Sequence, residues 1–339
     1  MNEYTGGAAA YPARGDAPAS VILAPAGSPL VSTLWRVAQL GGVALTLVLL
    51  GGLLTYPTQT LHVLWDMVVP VLPAVFLVNP MIWRNVCPLA TLNALPGQRL
   101  GSRLPGPGAS RAAWTLGIVL LFVMVPARRF LFNTHGDLLA LTIAAVAVLA
   151  LVGGIVFSRR SGFCNAVCPV LPVEKLYGQF PLAKVDTDRC RTCTLCVPVG
   201  CIDLAGTKTV AQTVGPARRQ RGWLATAFGI FAAAFPGFIV AYFTLENGPI
   251  DTAWSVYAHV ALYSVISYAL VAGLALVGKL SATTLLPILG GASFMLYYWY
   301  SAPTLGAAYG APDAGAVFIR LGAAVLTSIW LMRALRRSA

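Results

Sequence analysis

Apolar residues run along most of this chain in blocks, separated by short polar and basic stretches. Blocks of roughly twenty apolar residues are long enough to cross the hydrocarbon of a bilayer as helices. Eight are expected, over about 36–56, 61–80, 113–132, 138–157, 223–245, 254–277, 281–300 and 316–333. Pro70 and Pro73 interrupt the second, and Arg128 and Arg129 blunt the end of the third. The pattern predicts an all-α polytopic membrane protein with a polar segment between its fourth and fifth spans.

Composition agrees. Of the 339 residues, 58% are hydrophobic and 10% charged, whereas soluble domains carry roughly 25% charged residues. A net charge of +12 on a soluble domain would suggest nucleic acid. Here the basic residues sit in the connections between apolar blocks, so they report membrane orientation instead and no nucleic-acid partner is expected. With the N-terminus cytoplasmic, all of the 23 basic residues except Arg128, Arg129 and Arg320 fall on the inner side. That places both termini and all seven cysteines at the cytoplasmic face of a bacterial inner membrane, a reducing compartment that suits thiolate ligands. Residues 1–33 lack a charged segment leading into an apolar core, as a signal peptide would have, and read as a disordered cytoplasmic tail.

The cysteines carry the candidate chemistry. Cys190, Cys193, Cys196 and Cys201 follow a C-x2-C-x2-C-x4-C spacing, and Cys164-x3-Cys168-Pro169 lies upstream. A C-x2-C-x2-C run wraps three thiolates round one iron–sulfur cube, and the fourth ligand commonly comes from a Cys-Pro elsewhere. Zinc is the competing metal, because C-x2-C also opens zinc ribbons. A third cysteine at the same spacing, with a separate Cys-Pro, favours iron. There is also a short internal repeat. Trp83-Arg84-Asn85-Val86-Cys87-Pro88-Leu89 aligns with Cys164-Asn165-Ala166-Val167-Cys168-Pro169-Val170, each copy following an apolar block that runs from outside to inside.

At these residues the chain resembles membrane polyferredoxins of the NapH/NosR type. Cys164 to Pro169 matches their C-x3-CP motif, Cys87-Pro88 matches its second half, and Cys190 to Cys201 is similar to their ferredoxin motif, with x4 for x3 and Ile202 for Pro. The resemblance covers about residues 35–210 and leaves the last four spans unassigned. It implies transfer of electrons from the quinol pool towards a respiratory reductase, or towards the maturation of one. The domains expected are the tail 1–33, a four-helix membrane region 34–163, a cytoplasmic ferredoxin-like iron–sulfur segment 164–215, and a four-helix membrane region 216–339 that reads as an anchor or docking surface.

A [4Fe–4S] cluster needs four ligands. Cys190, Cys193 and Cys196 with Cys168 form the preferred set, and Cys201 completing it locally is the alternative. Cys87, Cys164 and Cys201 are left over, which leaves a second cluster open. Lys184, Arg189 and Arg191 beside the run read either as tuning or docking charges or as ordinary inner-face bias. All three histidines fall near the outer surface. His62 and Asp66 lie four residues apart on one helix face. They are candidates for a catalytic quinol site, as the proton acceptors that quinol oxidation requires, with Arg128 or Arg129 beside them. Nothing in the spacing supports a haem between His62 and His259. An outer quinol site and an inner cluster would be separated by nearly the whole ~30 Å hydrocarbon core. An intermediate centre, a partner subunit or a quinone site beside the Cys-Pro turns would be needed to close that gap. The aromatic run Tyr297-Tyr298-Trp299-Tyr300 reads as an interfacial anchor of the seventh span. The partners expected are membrane lipid, the quinone pool and a redox partner protein. A maturation factor, and a transporter or scaffold with a structural cluster, are the other function classes the sequence admits.

Overall fold

The computed structural model describes residues 29–97, 103, 105–157, 160–183, 185 and 221–338. The chain is an all-α polytopic membrane protein, and among the described residues the only β pairing is an isolated bridge between Arg103 and Phe157. Seven helical stretches are long and apolar enough to cross a membrane: Ser32–Thr55, Pro57–Val78, Gly108–Phe132, Gly136–Val156, Ala227–Thr244, Ile250–Val277 and Pro312–Arg336.

The helices are α1 (Pro29–Thr55), α2 (Pro57–His62), α3 (Leu72–Val78), α4 (Pro80–Val86), α5 (Pro88–Gly97), α6 (Pro107–Ala127), α7 (Gly136–Val156), α8 (Leu171–Tyr177), α9 (Ala227–Thr244), α10 (Ala253–Val277), α11 (Ala282–Ala308) and α12 (Pro312–Ser338). α1 begins at Pro29, inside the segment expected to be a tail. α11 corresponds to the seventh of the eight expected spans, the one missing from this set. Its 27 residues reach about 40 Å at 1.5 Å per residue, but it is less apolar than the seven. The reason lies in its position. It packs between α9 and α12 and also touches α8, so its Ser and Tyr side chains are buried or half-buried in protein. Burial follows the same logic: 67% of the α9 span is buried, against 6% of α1.

The second span is not a regular helix. Pro70 and Pro73 lack the N–H groups that would bond four residues back. The chain answers with a π-helical turn at Val63–Val68 and a 3-10 turn at Val69–Val71 between α2 and α3. Tyr298 of α11 is built into this defect: its hydroxyl donates to the Pro70 carbonyl at 2.8 Å and accepts from the Ala74 N–H at 3.1 Å. A side chain inserted in the ladder in this way is a recognised cause of helix distortion. A second π-helical turn, Arg128–Phe132, follows Pro126 in α6.

The helix directions sort the connections into two ends. One end holds His62, the Arg128–His135 turn and the Leu245–Thr252 connection, tied together by Gly248 N–H to the Arg129 carbonyl and by Asn133 to Asn247. The other holds both Cys-Pro turns, the Gly178–Ala183 strap and the start of α9. There Ala183 N–H reaches the Val78 carbonyl and Arg333 reaches the Leu182 carbonyl.

Candidate functional site

The two copies of the repeat meet at the second end. α3 stops at Asn79, whose extended backbone and side chain cap α4 by accepting from the Met81 N–H at 2.8 Å. α4 ends at Cys87, and Pro88 opens α5. In the second copy α7 ends at Val156, a compact turn carries Cys164 to Cys168, and α8 follows Pro169. Proline suits the first turn of a helix, where its missing N–H is not needed. Aligned positions of the two copies touch: Arg84 donates to Asn165 Oδ1 at 2.8 Å. The same guanidinium donates to Glu174 Oε2 at 2.7 Å in an ion pair whose side chains are each 3% exposed. Arg160 donates to the Arg84 carbonyl at 2.8 Å. The ammonium of Lys175 sits 4.2 Å over the Trp114 ring.

Cys87, Cys164 and Cys168, all thiols, share one apolar pocket with Ala90, Ala150 and Phe163. Burial pushes the Cys168 thiol well above its ordinary range, and the Glu174 carboxylate and the neighbouring Cys164 and Cys87 push it further. Burial raises Cys87 as well. Helices approach this pocket closely. A Cβ on Gly154 would collide with the Asn93 carbonyl, and one on Gly117 would lie 3.2 Å from the Cys168 carbonyl. Thiols in an apolar pocket are the donor type that iron–sulfur chemistry uses. Yet among the described residues no group of three or more His, Cys, Asp or Glu side chains is arranged to hold a metal ion. Cys190, Cys193, Cys196 and Cys201, with Lys184, Arg189 and Arg191, lie outside the described residues.

At the opposite end, the two π-helical turns face each other. His62 Nδ1 and Asp66 Oδ2 are 2.8 Å apart, and Arg128 Nη2 lies 3.5 Å from Asp66 Oδ1. Arg128 also donates to Asn133 and to the Tyr242 hydroxyl, and its guanidinium stacks 4.7 Å over Trp65. Arg129 donates twice to the Tyr242 carbonyl and once to Asn247. His135 caps α7 and is bonded to Thr134, while His259 meets Thr244 on α9 and stacks on Tyr263. The sequence pairing of His62 with Asp66 and Arg128 is thus a contact, and His259 is engaged with a different set of neighbours.

Between the two ends lies a cavity of about 570 Å³. Trp65, Asp66, Arg128 and Tyr242 line its polar end, and Phe76, Val170, Val173 and Tyr177 line it towards the thiols. Val170, Val173 and Tyr177 recur at helical spacing, so one face of α8 forms that floor. α8 is no part of an external loop. Leu171, Leu176 and Tyr177 are at most 1% exposed, and α8 packs on α3, α6, α9 and α11. Val170 is two residues from Cys168, so their Cα atoms are within about 7 Å. From Trp65 to Phe76 is about 16 Å at 1.5 Å per residue, roughly half the gap that separates an outer site from an inner cluster.

Of the last four helices, expected to be an anchor or docking surface, α9 and α11 supply one wall of this cavity through Phe235, Phe238, Tyr242, Tyr297, Tyr300 and Ser301. The aromatic run of α11 is not an outward anchor: Tyr297 and Tyr300 line the cavity, Tyr298 is buried, and Trp299 alone is exposed. The sequence signal was there in Ser293, Tyr297, Ser301 and Thr304, a polar stripe at helical spacing through an otherwise apolar span.

No family model matches the chain, and neither a curated protein nor a solved structure does.

Proposed function

We propose that this is a membrane-bound iron–sulfur electron-transfer protein working between the quinone pool and a partner redox enzyme. It would lie in a bacterial cytoplasmic membrane with its Cys-Pro end inside. The observation that most supports this is the convergence of Cys87, Cys164 and Cys168 on one apolar cluster, Cys164 buried and the other two half-buried. It lies at the end of the bundle from which the cysteine-rich segment leaves and to which it returns. Cys190, Cys193 and Cys196 would hold a [4Fe–4S] cluster with Cys168 as fourth ligand, and Cys201, Cys87 and Cys164 remain for a second. When bound there, the cluster supplies one-electron transfer at the inner face.

The chain's own residues do the rest. The Arg84–Glu174 pair and the Arg84–Asn165 bond fix the two Cys-Pro turns against each other, and Ala90, Ala150 and Phe163 give the thiols apolar surroundings. At the other end Asp66 lines the cavity and is bonded to His62, whose side chain is 55% exposed. That pair offers a route for a proton from the cavity to the surface.

The test is anaerobic purification, iron and sulfide counting, and EPR before and after addition of a quinol analogue. About four irons per chain are expected for one cluster, with a quinol-reducible signal that Cys193→Ser abolishes. Zinc in place of iron would sink the proposal. A partner enzyme left without its own cofactor by Cys193→Ser would move the function from relay to maturation.

A further inference from the structure

The arginines at the polar end of the cavity are occupied: the donors of Arg128 and Arg129 are directed at Asp66, Asn133, Asn247 and Tyr242. Two other polar groups that line the same cavity are not. The Trp65 indole N–H and the Ser301 hydroxyl are buried without a hydrogen-bond partner in the described structure, and Ser301 is 4% exposed. A serine in a helix ordinarily turns its hydroxyl onto the carbonyl four residues back, as Thr327 does at 2.7 Å; Ser301 does not. A buried donor without an acceptor is destabilising, and a ligand oxygen would remove that cost.

These groups lie at one level. Trp65 is eight residues from Pro57 and Ser301 seven from Ala308, so each is about 10–12 Å inside the His62 end at 1.5 Å per residue. The walls include the aromatic rings of Trp65, Phe243, Tyr297 and Tyr300. Below that level the cavity is apolar down to Val173. A volume near 570 Å³ is within the range of small-molecule sites. Neutral donors, aromatic walls and an apolar extension select a flat, uncharged ring that bears carbonyl oxygens and a hydrocarbon tail.

We propose that this cavity is the binding site of a prenylated quinone, with Trp65 Nε1–H and Ser301 Oγ–H as donors to its ring oxygens. The ring sits inside the bundle rather than at the exposed His62, and Asp66 borders it. The inference rests on the proposal that the chain meets the quinone pool and assigns the place and the residues. It also gives α9 and α11 a role, because Ser301 and three of the aromatic walls come from them.

The test is equilibrium binding of a decyl-substituted benzoquinone to the full chain in lipid nanodiscs. Trp65→Phe keeps the ring and its stack on Arg128 but removes the donor; Ser301→Ala removes the other. Each is expected to raise Kd about fivefold, the loss of one hydrogen bond. Ser264→Ala is the control, since Ser264 is another buried hydroxyl without a partner but lies outside the cavity, and it should leave Kd unchanged. A Kd insensitive to both cavity substitutions overturns the site, as does a cavity held by co-purified phospholipid that the quinone does not displace. Iron content and reduction by quinol, measured on the same preparations, separate the two proposals. Reduction that persists with an insensitive Kd keeps electron transfer and loses this site. A chain without iron whose Kd responds to both substitutions keeps the site and loses electron transfer.

Discussion

The two ends of the bundle each contain a contact between a carboxylate and a nitrogen-bearing side chain, and the two contacts are built differently. Arg84 and Glu174 meet with side chains 3% exposed and are braced by Asn165. His62 and Asp66 meet with side chains 55% and 23% exposed, on one helix and four residues apart. A buried pair holds two segments distant in sequence in a fixed relation and is costly to break from one side. An exposed pair within one turn fixes little but exchanges protons with water readily. The Cys-Pro end is therefore organised for rigidity about the thiols, and the His62 end for access to the cavity.

The strongest way to break this contrast is Glu174→Ala. It leaves the Arg84 guanidinium buried without its counter-charge, and removal of one partner of a buried pair costs about 3–5 kcal/mol. Thermal unfolding in detergent should show the loss, and the turns that carry Cys87 and Cys168 should become accessible to maleimide. A variant as stable as the wild type, with thiols still protected, would mean that the pair does not set the turns.

Gly154→Ala sharpens the same end without touching charge. Its Cβ would strike the Asn93 carbonyl, which is backbone and cannot swing aside. Overpacking of this kind costs about 1–3 kcal/mol. A matching change at Gly273, where a Cβ meets nothing within 4 Å, should be neutral or slightly stabilising by helix propensity. Equal melting temperatures for the two variants would refute the close approach of α5 to α7.

The spans were legible because twenty apolar residues are a strong signal, and the break in the second was visible as Pro70 and Pro73. The ends of the helices were less so: α1 starts at Pro29, ahead of the expected boundary. α8 was not legible. Seven residues are too few for periodicity to show, and Leu171-Pro172-Val173 between a cysteine motif and charged residues reads as a loop. What places α8 inside the bundle is tertiary: Tyr177 packs edge-on against Phe294, and Gln179 reaches the Leu286 carbonyl. The site was half legible. That both repeat copies lie at one end of the bundle followed from their matched positions, and His62 with Asp66 from their spacing, whereas the contact between the copies through Arg84 did not. Trp65 and Ser301 were not singled out, because an indole and a hydroxyl in apolar spans look ordinary until both are found without partners on one cavity.

His62→Gln should have the smallest effect on stability and is the most informative about the open end. Exposed pairs within one helix turn contribute only a few tenths of a kcal/mol, so unfolding should hardly change. Gln keeps a hydrogen-bond donor within reach of Asp66 but cannot carry a proton. If the pair passes protons between cavity and surface, the variant keeps its quinone affinity while quinol-dependent reduction slows. Reduction at the wild-type rate would show that protons leave by another path, and His62 would then be an interfacial residue that only ends the first turn of its span.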